Sequence, residues 1–166
     1  MKKIIFILLS VILVDQLTKG ILLYMLTGGV PLYGSAFDIL PYPYLMGRVT
    51  GFFNLVFTWN PGTAFSLFRE MPSIILIALT GVIIGALGYH LFKNANRPHE
   101  KWALSLIVGG AVGNLIDRIR FGAVVDFLDL HAFGYHWPAF NFADICISIG
   151  VAIYIIHWLF FSKKAK

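Results

Sequence analysis

Residues 1–26 read MKKIIFILLSVILVDQLTKGILLYML. Two lysines lead into an apolar run from Ile4 to Leu26, long enough as a helix to cross a hydrocarbon layer of about 30 Å, which takes roughly 20 residues. Working outward, three more stretches have the same character: Pro72 to Phe92, Trp102 to Ile119 and Phe142 to Phe161. A hydrophobic content of 58%, a mean hydropathy of +0.80 and only 13% charged residues fit a membrane protein and exclude an ordinary soluble domain. The expected architecture is an all-α integral membrane fold of four transmembrane helices, a single polytopic domain over residues 1–166. An outer interfacial segment over residues 27–71 joins the first two spans.

The net charge of +5 is distributed by topology. Lys2, Lys3, Lys93, Arg97, Lys101, Lys163, Lys164 and Lys166 fall at the same ends of the four spans, the positive-inside pattern. Both termini are therefore expected in the cytoplasm. Glu100 is the one acid on that side, whereas Asp15, Asp38, Glu70, Asp117, Asp126, Asp129 and Asp144 lie in the spans or toward the outer face. The basic excess thus implies no nucleic-acid partner. A cleaved secretory leader would also begin with Lys2-Lys3, but Asp15, Gln16, Thr18 and Lys19 interrupt this run and it then resumes, so a retained first helix is expected.

The segment 27–71 is too long for a tight helix connection. Gly28, Gly29 and Pro31 end the first helix, Pro41 and Pro43 mark an irregular loop, and Val49 to Trp59 has the β-branched and aromatic content of a short strand pair, followed by a turn at Asn60-Pro61-Gly62. Tyr33, Phe37, Tyr42, Tyr44, Phe52, Phe53, Phe57 and Trp59 suit a small β-rich platform at the water-lipid boundary. Cys146 is the one cysteine, which excludes an internal disulfide and a multi-cysteine metal site. His131 and His136 share its side of the membrane, but nothing nearby marks a Cys/His nucleophile, and the sequence assigns the two histidines no role.

Polar residues in apolar surroundings carry the functional reading. Asp15 and Lys19, four apart, share a helix face on which opposite charges pair. In the third span, Gly109, Gly110, Ala111 and Gly113 admit a close neighbour, and Asn114, Asp117 and Arg118 share one face. Asp117-Arg118 reads best as scaffold. Asn141 and Asp144 have the spacing of a helix N-cap and its third residue. Capping does not explain why Asp126, Asp117 and Asp144 gather at the same end of two adjacent helices, where repulsion favours sharing a proton. Asp126 and Asp144 are thus a candidate acid/base pair for hydrolysis.

The ordered set Asp15-Gln-Leu-Thr-Lys19, Asn60-Pro-Gly-Thr-Ala-Phe65, Gly109-Gly-Ala-Val-Gly-Asn-Leu-Ile-Asp-Arg118, Val124-Val-Asp-Phe127 and Phe140-Asn-Phe-Ala-Asp144 resembles the motifs of bacterial lipoprotein signal peptidases, or signal peptidase II. The resemblance spans essentially the whole chain. It implies an intramembrane aspartic endopeptidase of the bacterial cytoplasmic membrane, with its site toward the outer face. Such an enzyme removes the signal peptide from prolipoproteins that already bear diacylglycerol, cutting just before the lipidated cysteine. Asp126 and Asp144 match the catalytic pair, and Asp15, Lys19, Asn60, Gly62, Asn114, Arg118, Asn141 and Ala143 match positions that support the site or contact substrate or the antibiotic globomycin. Asp117 matches no catalytic position. The implied protein needs no cofactor or metal, and its partners are the lipidated substrate and membrane lipid, with a monomer expected. Thr63 departs from the family's alanine, and the segment from Pro31 to Arg48 is longer than usual.

Two other classes fit the residues alone. An ion transporter would use intramembrane Asp, Lys and Arg as a relay, but the charges crowd the outer half of the chain. A lipid-binding or assembly protein would use the same polar pocket and would tolerate Asp126→Asn.

Overall fold

The computed structural model describes residues 1–28, 44–62 and 72–161. Helix α1 spans Lys2–Thr27 and stops at Gly28, whose φ of 61° lets its N–H reach back to the Tyr24 carbonyl. Helix α2, Ser73–Tyr89, continues into a π-helical turn at His90–Asn94. Helix α3, Pro98–Phe121, has proline in its first turn, where no N–H is missed, and ends at Gly122 with φ 76°. Helix α4 is Phe142–Phe161. All four are long and apolar enough to cross a membrane. Expected and observed spans agree, except that α3 begins about a turn earlier than Trp102. The polar residues Pro98 to Lys101 that made this stretch look like a connection form the helix's first turn.

Burial ranks the helices: 56% of the apolar window of α3 is buried against 11% for α2, so α3 is the central post and α2 is mostly surface. Glycines set its contacts. A Cβ on Gly109 would lie 3.0 Å from the Val11 Cβ of α1, one on Gly110 would lie 2.5 Å from the Ala143 carbonyl of α4, and one on Gly150 would lie 2.6 Å from the Ala103 carbonyl of α3. Helices that lack a hydrophobic drive to associate in lipid gain dispersion by such close approach. Ile4, Leu91, Ala95 and Leu104 close a cluster at the end of the bundle that carries Lys2, Lys3 and Arg97.

The opposite end carries an antiparallel sheet in the order β1 (Tyr44–Arg48), β2 (Phe53–Asn60), β3 (Val124–Ala132), β4 (Tyr135–His136). Between the pairs Leu55↔Leu128 and Thr58↔Asp126, β2 spends one residue more than β3, a bulge that bends the strand beside Asp126. Phe57 and Trp59 of β2, Val125 and Phe127 of β3, and Ala123 pack on Leu22 and Leu23 of α1 and Phe121 of α3. Trp59 stands edge-on to Phe57 at 5.0 Å, an arrangement that adds about 0.5–1.5 kcal/mol beyond area burial.

The β-rich platform is present, with two differences. The expected strand pair within Val49–Trp59 is displaced: the first strand ends at Arg48, and 49–52 form the turn. The connection from Arg120 to Trp137 contains strand β3, and Asp126 sits on it rather than at a helix end. From Val124 through Phe127 every residue is buried, so both strand faces are covered and the period-2 alternation that betrays a strand is missing. The expected platform residues Tyr33, Phe37 and Tyr42, the departing Thr63, and Asp38, Glu70, Lys163, Lys164 and Lys166 lie outside the described residues.

Candidate active site

At the sheet end of the bundle, α1, α3, β3 and the first turn of α4 direct polar side chains at one another. The base of the site is ionic. Lys19, 2% exposed, puts Nζ 2.9 Å from Asp15 Oδ2, 2.8 Å from Asp117 Oδ2 and 3.0 Å from Asn114 Oδ1. All three ammonium donors thereby have an acceptor, which offsets the cost of burying the group. Asp15 Oδ1 accepts the Ala143 N–H at 3.0 Å, tying α1 to α4, and Asp117 Oδ2 accepts the Val125 N–H at 3.2 Å, tying α3 to β3. Gly113 leaves room for this, because a Cβ there would run into the Asp15 carboxylate.

Above the base, three asparagines are held in one orientation each. A lysine only donates, so Asn114 Oδ1 faces Lys19 and its amide N–H is left to donate to Asp144 Oδ1 at 2.8 Å. Asn60 Oδ1 accepts the Gly62 N–H at 3.1 Å, leaving its amide to donate to Asp126 Oδ2 at 2.9 Å. Asn141 Oδ1 accepts the Asp144 N–H at 3.0 Å, while the Asn141 backbone N–H donates to Asp144 Oδ2 at 3.1 Å, a capping box that starts α4. The Asn141 amide then donates to Asp126 Oδ1 at 2.7 Å and to Asn114 Oδ1 at 3.1 Å. Capping and site-building are thus one arrangement.

Asp126, 2% exposed, and the half-buried Asp144 consequently sit on either side of Asn141 and Asn114, braced by neutral amides and with no salt bridge to either among the described residues. Burial first, and then the nearby Asp144 charge, push the Asp126 carboxyl up to about 7 against the pull of the Asn60 and Asn141 amides. Near neutral pH it holds or yields a proton with little cost, as acid/base chemistry requires. Arg118, 8% exposed, donates from Nη2 to the Gly62 carbonyl at 2.7 Å and from Nη1 to the Asn114 carbonyl at 3.5 Å, so it fixes the turn after β2.

All ten residues singled out from sequence, Asp15, Lys19, Asn60, Gly62, Asn114, Arg118, Asp126, Asn141, Ala143 and Asp144, therefore fall within one connected network. The sequence reading missed Gln16, whose amide donates to Asp15 Oδ2, the Gly113 carbonyl and Asp117 Oδ1 at 3.2, 3.1 and 3.0 Å. Its place beside Asp15 in an apolar run was the available signal. Asp117, read as scaffold, is one: it spends both oxygens on Lys19, Gln16 and a backbone amide.

Four apolar helices long enough to cross a membrane, with a two-carboxyl polar site at one end of the bundle, define a polytopic membrane protein. The model of the signal peptidase (SPase) II family matches residues 7–160, and the chain belongs to that family of proteases, which removes signal peptides from prolipoproteins. It is 42% identical over 147 residues to the lipoprotein signal peptidase of Anaplasma phagocytophilum, covering 87% of this chain and 84% of that one. It is 39% identical over 150 residues to that of Syntrophotalea carbinolica, covering 88% and 84%. Among solved structures, a bacterial membrane enzyme determined by the in meso method at 2.3 Å superposes with a TM-score of 0.80 at 30% identity, over 100% of this chain and 93% of the other.

Proposed function

We propose that this chain is an intramembrane aspartic endopeptidase that cuts the signal peptide from diacylglyceryl-modified prolipoproteins just before the lipidated cysteine. The observation that carries the reading is the convergence of Asp126 from β3 and Asp144 from α4 on one asparagine pair, with amide donors in place of cations. A permanent cation on either carboxyl would hold it ionised; amides leave one proton available to the pair.

In the proposed cycle Asp126 holds the proton at rest, since burial favours its neutral form. Asp144 takes a proton from a water as the water oxygen attacks the scissile carbonyl carbon. Asp126 donates to the carbonyl oxygen, whose electron pair is released from the C–O π bond, giving a tetrahedral diol. Collapse breaks the C–N bond while the proton gathered by Asp144 passes to the leaving nitrogen, and a diol hydroxyl returns a proton to Asp126. Asn60 and Asn141 hold the acid, Asn114 holds the base, and Arg118 with Gly62 keeps the end of β2 against the pair. Lys2, Lys3, Lys93, Arg97 and Lys101 support an orientation with that end of the bundle cytoplasmic and the sheet outside, in the bacterial cytoplasmic membrane. Substrate then arrives by lateral diffusion, a monomer suffices, and a globomycin-type inhibitor would bind at the same pair of carboxyls.

The test is incubation of the purified protein in lipid with a prolipoprotein carrying, or lacking, its diacylglyceryl group, followed by mass spectrometry of the products. The reading expects one cut, immediately before the modified cysteine and dependent on the lipid. It is overturned if the chain leaves the lipidated substrate intact under conditions where a characterised lipoprotein signal peptidase cuts it.

A further inference from the structure

On the sheet, away from the paired carboxyls, a second polar cluster takes no part in the network above. Asp129 and His131 are two apart on β3 and so share a face, and His136 of β4 stands directly opposite His131 in the strand register. The hairpin between them turns at Phe133 and Gly134 with φ of 53° and 81°. The carboxylate and both ring nitrogens offer donor atoms that all lie within 4.8 Å of one another. Nδ1 of His136 is 2.8 Å from Asp129 Oδ1, Nδ1 of His131 is 3.8 Å from Asp129 Oδ2, and the two rings are 15° from parallel at 5.0 Å.

We propose that Asp129, His131 and His136 form a binding site for one divalent transition-metal ion, of the zinc type, which clasps β4 to β3. The donor set is two imidazoles and one carboxylate, the combination that suits zinc and its neighbours rather than magnesium or calcium. Donors bound at about 2.0–2.2 Å around a tetrahedral ion lie roughly 3.2–3.6 Å from each other. The His136–Asp129 separation of 2.8 Å is shorter than that and the His131–Asp129 separation of 3.8 Å longer, so both imidazoles, 58% and 22% exposed, shift by a few tenths of an ångström to bind an ion.

Charge makes the same case independently. Asp129 is 5% exposed, and among the described residues its salt-bridging partners are the two histidines, with no lysine or arginine. A bound divalent cation would give this buried carboxylate the permanent counter-charge that no lysine or arginine supplies there. The carboxylate is also held ready. Asn54, 6% exposed and opposite Asp129 in the β2–β3 register, donates from Nδ2 to Asp129 Oδ2 at 2.7 Å, the outer support that metal-ligating carboxylates require. The exposed side of His136 leaves a coordination position to water. A bound ion would stiffen a β3–β4 ladder of only two residue pairs, from which the chain runs on to Asn141 and Asp144.

The test is titration of tag-free, chelator-stripped protein in lipid nanodiscs with Zn2+ by calorimetry, and with Co2+ by visible absorption. One equivalent is expected to bind and to raise the unfolding temperature. His136→Ala should weaken binding by at least about tenfold, Asn54→Ala by roughly 10–100-fold, and His131→Ala with His136→Ala should abolish it, while His99→Ala at the far end of α3 leaves it unchanged. X-ray absorption of the zinc-loaded wild type, which needs no variant to fold, should show two imidazole ligands. Failure of wild type to bind Zn2+ below about 100 μM, binding unchanged in the double variant, or an ion with fewer than two imidazoles would overturn the proposal.

Discussion

Replacing Asp126 by asparagine should stabilise the protein at alkaline pH while leaving it no more stable at acid pH. The folded carboxyl titrates at about 7, against 3.8 for an unburied aspartate, so between those values the folded state holds a proton that the unfolded state has released. Stability therefore falls as pH rises through this window and levels off above the folded value, and the full loss amounts to about 4 kcal/mol. Asparagine has no such term. Against this stands one unfavourable contact: the Asn60 and Asn141 amides both donate to Asp126, so an asparagine's own NH2 meets a donor, costing about 1–3 kcal/mol at any pH. The mismatch cancels when two pH values are compared. Integrating the linkage, the stability difference between variant and wild type should move in favour of the variant by about 2–3 kcal/mol from about pH 5 to about pH 8. Equilibrium unfolding in mixed micelles at the two pH values reads this directly. A difference constant within about 0.5 kcal/mol would refute the reasoning, because Asp126 would then titrate alike in the folded and unfolded chains.

Three further perturbations probe the support of the pair. Lys19→Met leaves Asp15 and Asp117 facing each other without a cation and should cost about 3–5 kcal/mol in the same unfolding assay, with much of it recovered when Asp117→Asn is added; a cost under about 1 kcal/mol would remove the ionic base from the account. Gly113→Ala drives a methyl onto the Asp15 carboxylate and should destabilise by about 1–3 kcal/mol in thermal unfolding, whereas Gly85→Ala, with open space around it, should be neutral or slightly stabilising. Asn141→Ala should lower kcat roughly 100-fold and cost about 1 kcal/mol of stability, while Asn141→Ser restores the cap and hence the stability but not the rate; equal recovery of both would make Asn141 a cap and nothing more.

The helices were legible because a bilayer imposes length and apolarity on any span, and α1 to α4 satisfy both without help from the rest of the chain. The ionic pair Asp15–Lys19 was legible for a related reason: charge in an apolar run needs a partner within reach, and position i+4 on the helix supplies one. The third member, Asp117, came from a distant helix, and no local spacing announces that Gly113 faces Asp15. Strand β3 was hidden by its own burial, since Val124 to Phe127 are covered on both faces and carry no alternation. For the same reason Asp126 looked like a helix-end residue although it is held in a sheet beside a bulge. The cluster of Asp129, His131 and His136 escaped notice because it depends on the β3–β4 register, which a two-residue strand barely marks in sequence.

Whether Asp126 and Asp144 perform the chemistry is decided by one comparison: initial rates of cleavage of a diacylglyceryl-modified prolipoprotein by wild type, Asp126→Asn and Asp144→Asn, in lipid, with unfolding curves of all three recorded alongside. Both folded variants should lose activity by roughly 1,000-fold or more, Asp126→Asn even at pH 8, where it is expected to be the more stable protein. A folded variant of either aspartate that kept more than about a tenth of the wild-type rate would contradict the account and remove that residue from the catalytic pair.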